Sequence, residues 1–345
     1  MKGKVISTPI KDLIKEDSYI EDFFTSIGLK NYNHEFTLEQ IVETLTDEFI
    51  DDCGLGREEI LNHFQLFVEK MDELKLKSES HIEYITIIGG HDKSGKNENM
   101  SITVKPGEII SLVGPTGAGK SRLLADIECI AQKDTQTGRQ VLINGKVPEI
   151  DKRFSMDNKL VAQLSQNMNF VMDLTVKEFI TMHAESRMID KIEDTVKAII
   201  ECANELAGEK FSYDVPVTQL SGGQSRSLMV ADTALLSISP IVLIDEIENA
   251  GIDRGKAIEL LVKKEKIVFM STHDPILALM GNKRIVIKNG GINKIIETNY
   301  AERKNLQLLK KFDIKMTKLR NTIRSGEVID FDVSEYLCDL SMNLT

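Results

Sequence analysis

Residues 114–121 have the sequence Gly-Pro-Thr-Gly-Ala-Gly-Lys-Ser and lie between an apolar run and a helical pattern. The run Ile109–Val113 is typical of a buried strand, and the apolar residues of 122–127 recur at helical spacing. Glycines let backbone N–H groups wrap around phosphate oxygens, and a helix N-terminus favours the same anions. Lys120 can then hold the β- and γ-phosphates, while Ser121 can ligate Mg²⁺. This strand, loop and helix therefore predict an α/β domain that binds a nucleoside triphosphate.

Two further motifs follow this loop along the chain. The first is Leu220–Gln224, in which a Gly-Gly step and a serine hydroxyl can donate to a phosphate. The second is the apolar run Ile241–Ile244, which is typical of a buried strand and leads into Asp245 and Glu246. The first carboxylate suits Mg²⁺ through water, and the second is placed to polarise the water that attacks the γ-phosphate. Each motif alone is weak evidence, but their order after a phosphate-binding loop is specific.

In this order the motifs resemble those of ABC-type ATPases, and the resemblance covers residues 81–297. It implies an enzyme that binds ATP and Mg²⁺ and hydrolyses ATP, on a P-loop α/β fold with a mixed β core and a helical subdomain. Gln166 resembles the family glutamine that senses Mg²⁺ and the γ-phosphate and links the two lobes. His273 resembles the switch histidine that contacts the γ-phosphate.

The resemblance assigns three groups of site residues. The catalytic candidates are Glu246, His273 and Gln166. The Mg²⁺ candidates are Ser121, Gln166 and Asp245. The candidates for nucleotide contact are Gly114, Pro115, Thr116, Gly117, Ala118, Gly119, Lys120, Ser121, Arg122, His91, Ser221, Gly222, Gly223, Gln224 and Asp253.

Two places depart from the family pattern. Family members usually stack an aromatic side chain on the adenine, and the matching position here is His91, whose ring stacks more weakly. The nearest true aromatic residue, Tyr84, lies inside a predicted strand and is expected in the sheet instead. The segment between Glu246 and Asp253 lacks the family's proline and is one residue longer than the matching family segment, which leaves the geometry between subunits open. Asp253 is expected to keep the role of the matching family aspartate.

Composition changes along the chain predict three regions. Residues 1–78 indicate a small acidic helical domain, in which Thr37-Leu-Glu-Gln40 fits a helix-capping box and Phe23, Phe24 and Ile27 complete a core. Residues 81–297 indicate the ATPase domain, with a helical subdomain at about 167–219. Residues 298–345 indicate a basic helix and an acidic tail. The predicted strands are His81–Ile88, Glu108–Val113, Gln140–Ile143, Lys159–Leu164, Ile241–Ile244, Ile267–Met270 and Arg284–Ile287.

Charge and cysteine usage limit the function classes. The net charge is -11, and residues 1–80 alone hold 18 acidic against 9 basic side chains, so nucleic-acid binding is not expected. The predicted helix over residues 302–324 holds 8 basic and 2 acidic residues. Its apolar stripe from Leu309 to Ile323 is expected to pack on the core, while its basic face is solvated. The alternative is that this helix binds RNA, a membrane or a partner protein. The four cysteines are scattered, and no signal peptide or membrane span is evident. A cytoplasmic protein is expected, either free or peripheral at the inner face of the membrane.

The family resemblance also implies a partner copy. In such ATPases the segment matching Ser221–Gly223 closes over ATP held by a second subunit, so we expect a head-to-tail homodimer around two ATP molecules. The favoured role is a soluble ATPase that drives conformational change in another protein or assembly, because a transport subunit needs neither terminal segment. The alternative is the cytosolic ATPase subunit of a transporter with separate membrane subunits, which the stretch Ile267–Asn289 supports.

Overall fold

The computed structural model describes residues 6–17, 19–78, 82–150, 153, 159–165, 170–187, 189–246, 251–333 and 336. The chain divides into two compact units. One comprises residues 1–81 with 181–196, and the other comprises 82–180 with 197–345. Among the described residues, no helix combines the length and the apolar character that crossing a bilayer requires.

The first unit is helical. Its N-terminal part contains the helices α1 (Ile10–Glu16), α2 (Ile20–Ser26), α3 (Leu38–Thr44), α4 (Asp47–Cys53) and α5 (Arg57–Ser78). The predicted capping box is confirmed, because the Thr37 hydroxyl accepts from the Gln40 amide while the Gln40 side chain accepts from the Thr37 amide. Phe23 and Phe24 are buried in the aromatic centre of this unit, with Ile27 packed against them. The sequence pattern thus located both a helix start and the core it supports.

The second unit is built on a six-stranded sheet with the order β5-β6-β7-β3-β8-β9. Its strands are β3 (Ile109–Val113), β5 (Val161–Leu164), β6 (Ile241–Asp245), β7 (Ile267–Ser271), β8 (Lys283–Lys288) and β9 (Gly291–Glu297). All neighbouring pairs are parallel except β8 and β9. The parallel strands β6, β7 and β3 are almost wholly buried on both faces, as their continuous apolar runs require.

A second, antiparallel sheet has the order β2-β1-β4. Its strands are β1 (Ile85–Ile88), β2 (Ser101–Val104) and β4 (Gln140–Ile143). Each predicted strand overlaps an observed one, so the mixed α/β architecture is confirmed. The prediction omitted β2 and β9, which form edges of their sheets. The four residues of β2 alternate polar and apolar side chains, whereas the seven residues of β9 have no regular alternation.

Seven further α-helices and a 3-10 helix at Val217–Gln219 are among the described residues. The α-helices are α6 (Lys120–Glu128), α7 (Val176–Ser186), α8 (Ile192–Leu206), α9 (Gly222–Leu235), α10 (Arg254–Lys263), α11 (Pro275–Met280) and α12 (Tyr300–Arg324). Helix α12 is the predicted basic helix, and its apolar stripe is only partly covered. Leu319 is buried, whereas Phe312 and Ile323 are exposed. The stripe therefore packs on the core along part of its length.

Candidate functional site

The loop between β3 and α6 is held against the turn between β8 and β9. Gly114 and Gly119 both have positive φ angles, and a Cβ at either would approach backbone atoms within 3 Å, Ile287 O at 2.4 Å and Gly290 Cα at 2.8 Å. The Gly290 amide also donates to the Ala118 carbonyl at 2.7 Å. Glycine is therefore required at both positions by space as well as by backbone conformation.

Lys120 lies at the first position of α6 and is buried. Its ammonium donates to the carbonyls of Gly114 at 3.0 Å and Pro115 at 3.3 Å, which turns it back over the loop. The same Nζ lies 3.1 Å from His273 Nε2. Because an ammonium only donates, this contact requires the imidazole Nε2 to accept, which places the histidine proton on Nδ1.

Two of the predicted Mg²⁺ ligands lie close together beside the loop. The Ser121 hydroxyl, in the first turn of α6, lies 3.5 Å from Asp245 Oδ2 at the end of β6. A hydroxyl and a carboxylate suit Mg²⁺, which holds oxygen ligands in an octahedron at about 2.0–2.1 Å. No group of three or more His, Cys, Asp or Glu side chains that could hold a metal ion occurs in the described part of the chain. A cation with two protein ligands, completed by water and phosphate, fits this donor set.

Glu246 and His273 face each other across neighbouring parallel strands. Glu246 follows β6 with a φ of +49°, and its amide donates to the Ser271 carbonyl at the end of β7. His273 follows β7, and its Nε2 lies 3.7 Å from Glu246 Oε1. The carboxyl ends of β3, β6 and β7 thus bring the Lys120 ammonium, the Glu246 carboxylate and the His273 imidazole to one edge of the sheet.

The structure brings together five predicted residues and leaves others elsewhere. Lys120, Ser121, Asp245, Glu246 and His273 form the group just described. Within the rest of the loop, Pro115, Thr116 and Gly117 are exposed, as is Arg122 on α6. Gln166 lies outside the described residues.

The segment Ser221–Gln224 begins helix α9 and is organised locally. The Ser221 hydroxyl accepts from the Gln224 amide at 3.3 Å, and the Gln224 side chain accepts from the Ser221 amide at 2.9 Å. Gly222 is exposed and a Cβ there would meet nothing, so this glycine is not demanded by packing within the chain. Asp253 plays a similar capping part, since its Oδ1 accepts from the Lys256 amide at the start of α10.

The loop that carries His91 lies close to the phosphate-binding loop. The His91 ring is half-buried, with Nδ1 3.2 Å from the Asp92 carbonyl. Hydrogen bonds, foremost that from the Ser94 hydroxyl, lower the pKa of Asp92 to about 2 and fix this turn. Lys93 was missed by sequence reasoning, and its Nζ lies 3.4 Å from the Gly117 carbonyl. No motif spacing marks this lysine, because only the fold brings the two loops together.

A buried ion cluster lies behind the turn at Gly290 and was also missed. Arg139 donates to both oxygens of Glu98, at 2.5 and 3.1 Å, and to Asp126 Oδ2 on α6 at 2.8 Å. Its Nη2 also donates to the Gly290 carbonyl at 2.8 Å, and Gly290 in turn bonds Ala118. Burial opposes ionisation of Glu98, but the hydrogen bonds and charge of Arg139 overcome it and keep the pKa of Glu98 below its usual value.

Comparisons with known proteins agree with this geometry. The family model described as ABC transporter matches residues 97–249. An uncharacterized ABC transporter ATP-binding protein of Methanocaldococcus jannaschii is 54% identical over 247 residues, which cover 71% of this chain and 94% of that protein. The aliphatic sulfonates import ATP-binding protein SsuB of Bacillus thuringiensis subsp. konkukian is 30% identical, with 68% of this chain and 91% of that protein covered.

A solved structure shares the fold. The structure of cbiO1 from Clostridium perfringens, described as part of the ABC transporter complex cbiONQ, superposes with a TM-score of 0.50 at 18% identity. The superposition covers 70% of this chain and 99% of that one. The family resemblance inferred from the order of the motifs is confirmed by these relatives, and the chain belongs to the ABC-type ATPases.

Proposed function

We propose that this chain is the nucleotide-binding subunit of an ABC transporter whose membrane subunits are separate chains, and that two copies dimerise head to tail around two ATP molecules. As an ABC-type ATPase it binds ATP with Mg²⁺ and hydrolyses it. The observation that supports the ATPase reaction in this proposal is the convergence of Lys120, Glu246 and His273 at the carboxyl ends of neighbouring parallel strands.

Each residue at this edge has a part in the proposed reaction. Lys120, now bonded to loop carbonyls, turns to the β- and γ-phosphates when ATP enters. Ser121 and Asp245 hold Mg²⁺, which supplies charge neutralisation at those phosphates. Glu246 orients and polarises the attacking water. His273 donates to the γ-phosphate from Nε2, to which its ring proton shifts when the contact with Lys120 is lost.

The dimer supplies the other half of the site. Ser221, Gly222 and Gly223 stand at the positive end of the fourteen-residue helix α9, with Gly222 exposed. A second copy placed head to tail brings this helix end onto the phosphates held by Lys120. Asp253 is proposed to keep its family role between the two subunits, and Gln166 is proposed to sense Mg²⁺ and the γ-phosphate. His91 is the proposed neighbour of the adenine.

The relatives support the transporter role over the soluble assembly that the terminal segments first suggested. An ATP-binding protein of an ABC transporter and a sulfonate import ATP-binding protein both match over more than nine-tenths of their own length.

The Glu246→Gln variant tests the dimer. Removing the carboxylate stops water activation while it leaves the phosphate-binding loop intact, so ATP accumulates in the closed state. Light scattering is expected to give twice the monomer mass in ATP and Mg²⁺, and the monomer mass without them. The double variant Lys120→Met/Glu246→Gln is the control, since it loses the phosphate cation and is expected to stay monomeric. A persistent monomer of Glu246→Gln in ATP contradicts the proposal.

The transporter role is tested with the same variant as bait. We expect tagged Glu246→Gln to co-purify with a multi-span membrane protein from detergent-solubilised membranes of the source cells. The soluble fraction serves as the comparison, and mass spectrometry identifies what is retained. Retention of one soluble assembly, with no membrane protein enriched, contradicts the transporter role but leaves the ATP-driven dimer in place.

A further inference from the structure

Arg254 lies at the start of helix α10, and its side chain contacts two other elements. It is the first residue of helix α10 and directly follows Asp253, the residue that caps this helix. Its side chain is 22% exposed and reaches across to two other parts of the same compact unit. None of the motifs that define the nucleotide site includes it.

One arm of the Arg254 guanidinium binds the switch segment, Thr272–Asp274, which contains His273. Nη1 donates to Oδ2 of Asp274, the residue directly after His273. Asp274 is already fixed by its other oxygen, because Oδ1 accepts from the Ile276 amide at 2.7 Å and caps helix α11. Its own amide donates to the Thr272 hydroxyl at 3.0 Å. A rotation of Asp274 would therefore move the backbone that aims the His273 ring.

The other arm binds the C-terminal helix. Nη2 donates to Asp313 Oδ2 on α12 at 3.2 Å. Helix α12 carries only two acidic residues among eight basic ones, and both are paired with arginines of the sheet unit, Glu302 with Arg284 and Asp313 with Arg254. Asp313 therefore provides the ion pair by which helix α12 contacts Arg254.

We infer that Arg254 is a positioning residue for ATP hydrolysis. It fixes the position of His273 through Asp274 and couples His273 to helix α12 through Asp313. A guanidinium suits this task because its planar fork fixes two carboxylates at once. The consequence is that a displacement of α12 is transmitted to the side chain that contacts the γ-phosphate. The inference rests on ATP hydrolysis and not on the transporter role, so it stands whichever partner the protein has.

Steady-state ATPase kinetics of Arg254→Gln, Asp313→Asn and the double variant test this inference. We expect Arg254→Gln to lower kcat by about tenfold and Asp313→Asn by about threefold, because the switch loses its support. KM for ATP should change little, since Lys120 and the loop amides still bind the phosphates. The double variant should be no slower than Arg254→Gln, because the Asp313 contact acts through Arg254. Arg254→Lys should recover part of kcat, since one ammonium can still reach Asp274.

The pair between Lys310 and Glu259 provides a matched control. It joins the same two helices, α12 and α10, with an Nζ–Oε1 distance of 3.4 Å. Among the described residues, no side-chain hydrogen bond or ion pair joins Lys310 or Glu259 to the segment around His273. Glu259→Gln is therefore expected to keep wild-type kcat. Circular dichroism checks that each variant is folded, and Asp313→Asn serves if Arg254→Gln is not, because Asp313 is one-third exposed. Unchanged kcat in Asp313→Asn, equal loss in Glu259→Gln, or a slower double variant would overturn the inference.

Discussion

At the scale of single residues, the most constrained side chain is Arg139. Its guanidinium is fully buried and pairs with Glu98 and Asp126, whose side chains are also buried. Each carboxylate has further donors, since the Ile292 and Gly90 amides bind Glu98 and the Thr137 hydroxyl binds Asp126. Buried charges are tolerated only when paired and hydrogen-bonded in this way. The cluster thereby ties helix α6 and the turn at Gly290, on both sides of the phosphate-binding loop.

Replacing Arg139 with methionine is expected to be strongly destabilising. The variant leaves Glu98 and Asp126 buried without their cation, and losing one partner of such a group typically costs about 3–5 kcal/mol. Urea denaturation of the nucleotide-free protein measures this difference in the free energy of unfolding. Lys310→Met, which removes a partly exposed ion pair, is the control and should have little effect. A loss for Arg139→Met no larger than that for Lys310→Met would show that the cluster is not stabilising.

At the scale of elements, the sequence predicted what is encoded locally. Residues 109–127 carry the apolar run, the glycines and the helical spacing within one short segment, so strand, loop and helix could all be read from it. The Asp245–Glu246 step was found for the same reason, because a buried strand directly precedes it. By contrast, β2 was missed since four alternating residues carry little signal.

Contacts between distant elements could not be predicted in this way. Arg254 directly follows a predicted site residue, yet its partners lie 20 and 59 residues further along the chain. Lys93 reaches the phosphate-binding loop from 24 residues upstream. No local period encodes such pairs, because they depend on the order of strands in the sheet and on where helix α12 returns.

At the scale of the whole molecule, each compact unit has its own buried cluster. The N-terminal helices bury aromatic side chains such as Phe23, Phe24 and Phe64 against one another. The six-stranded sheet buries a separate set on α6 and the second sheet, which includes Ile110 and Phe269. Separate clusters of this kind favour cooperative units of different stability within one chain. All the residues that we place around the phosphates belong to the sheet unit.

ATP should therefore stabilise the two units unequally. A ligand that binds only the folded state adds about 2.7 kcal/mol to the free energy of unfolding at a concentration of 100 times Kd. In the Glu246→Gln variant with ATP and Mg²⁺, hydrogen exchange in urea is expected to report this gain for peptides of β3, β6 and α6. Peptides of α2, α3 and α5 should gain less, because their buried side chains pack within the helical unit. Lys120→Met/Glu246→Gln is the control and should lose the gain in β3 and α6. Equal protection of both units by ATP would instead mean that the chain unfolds as one cooperative body.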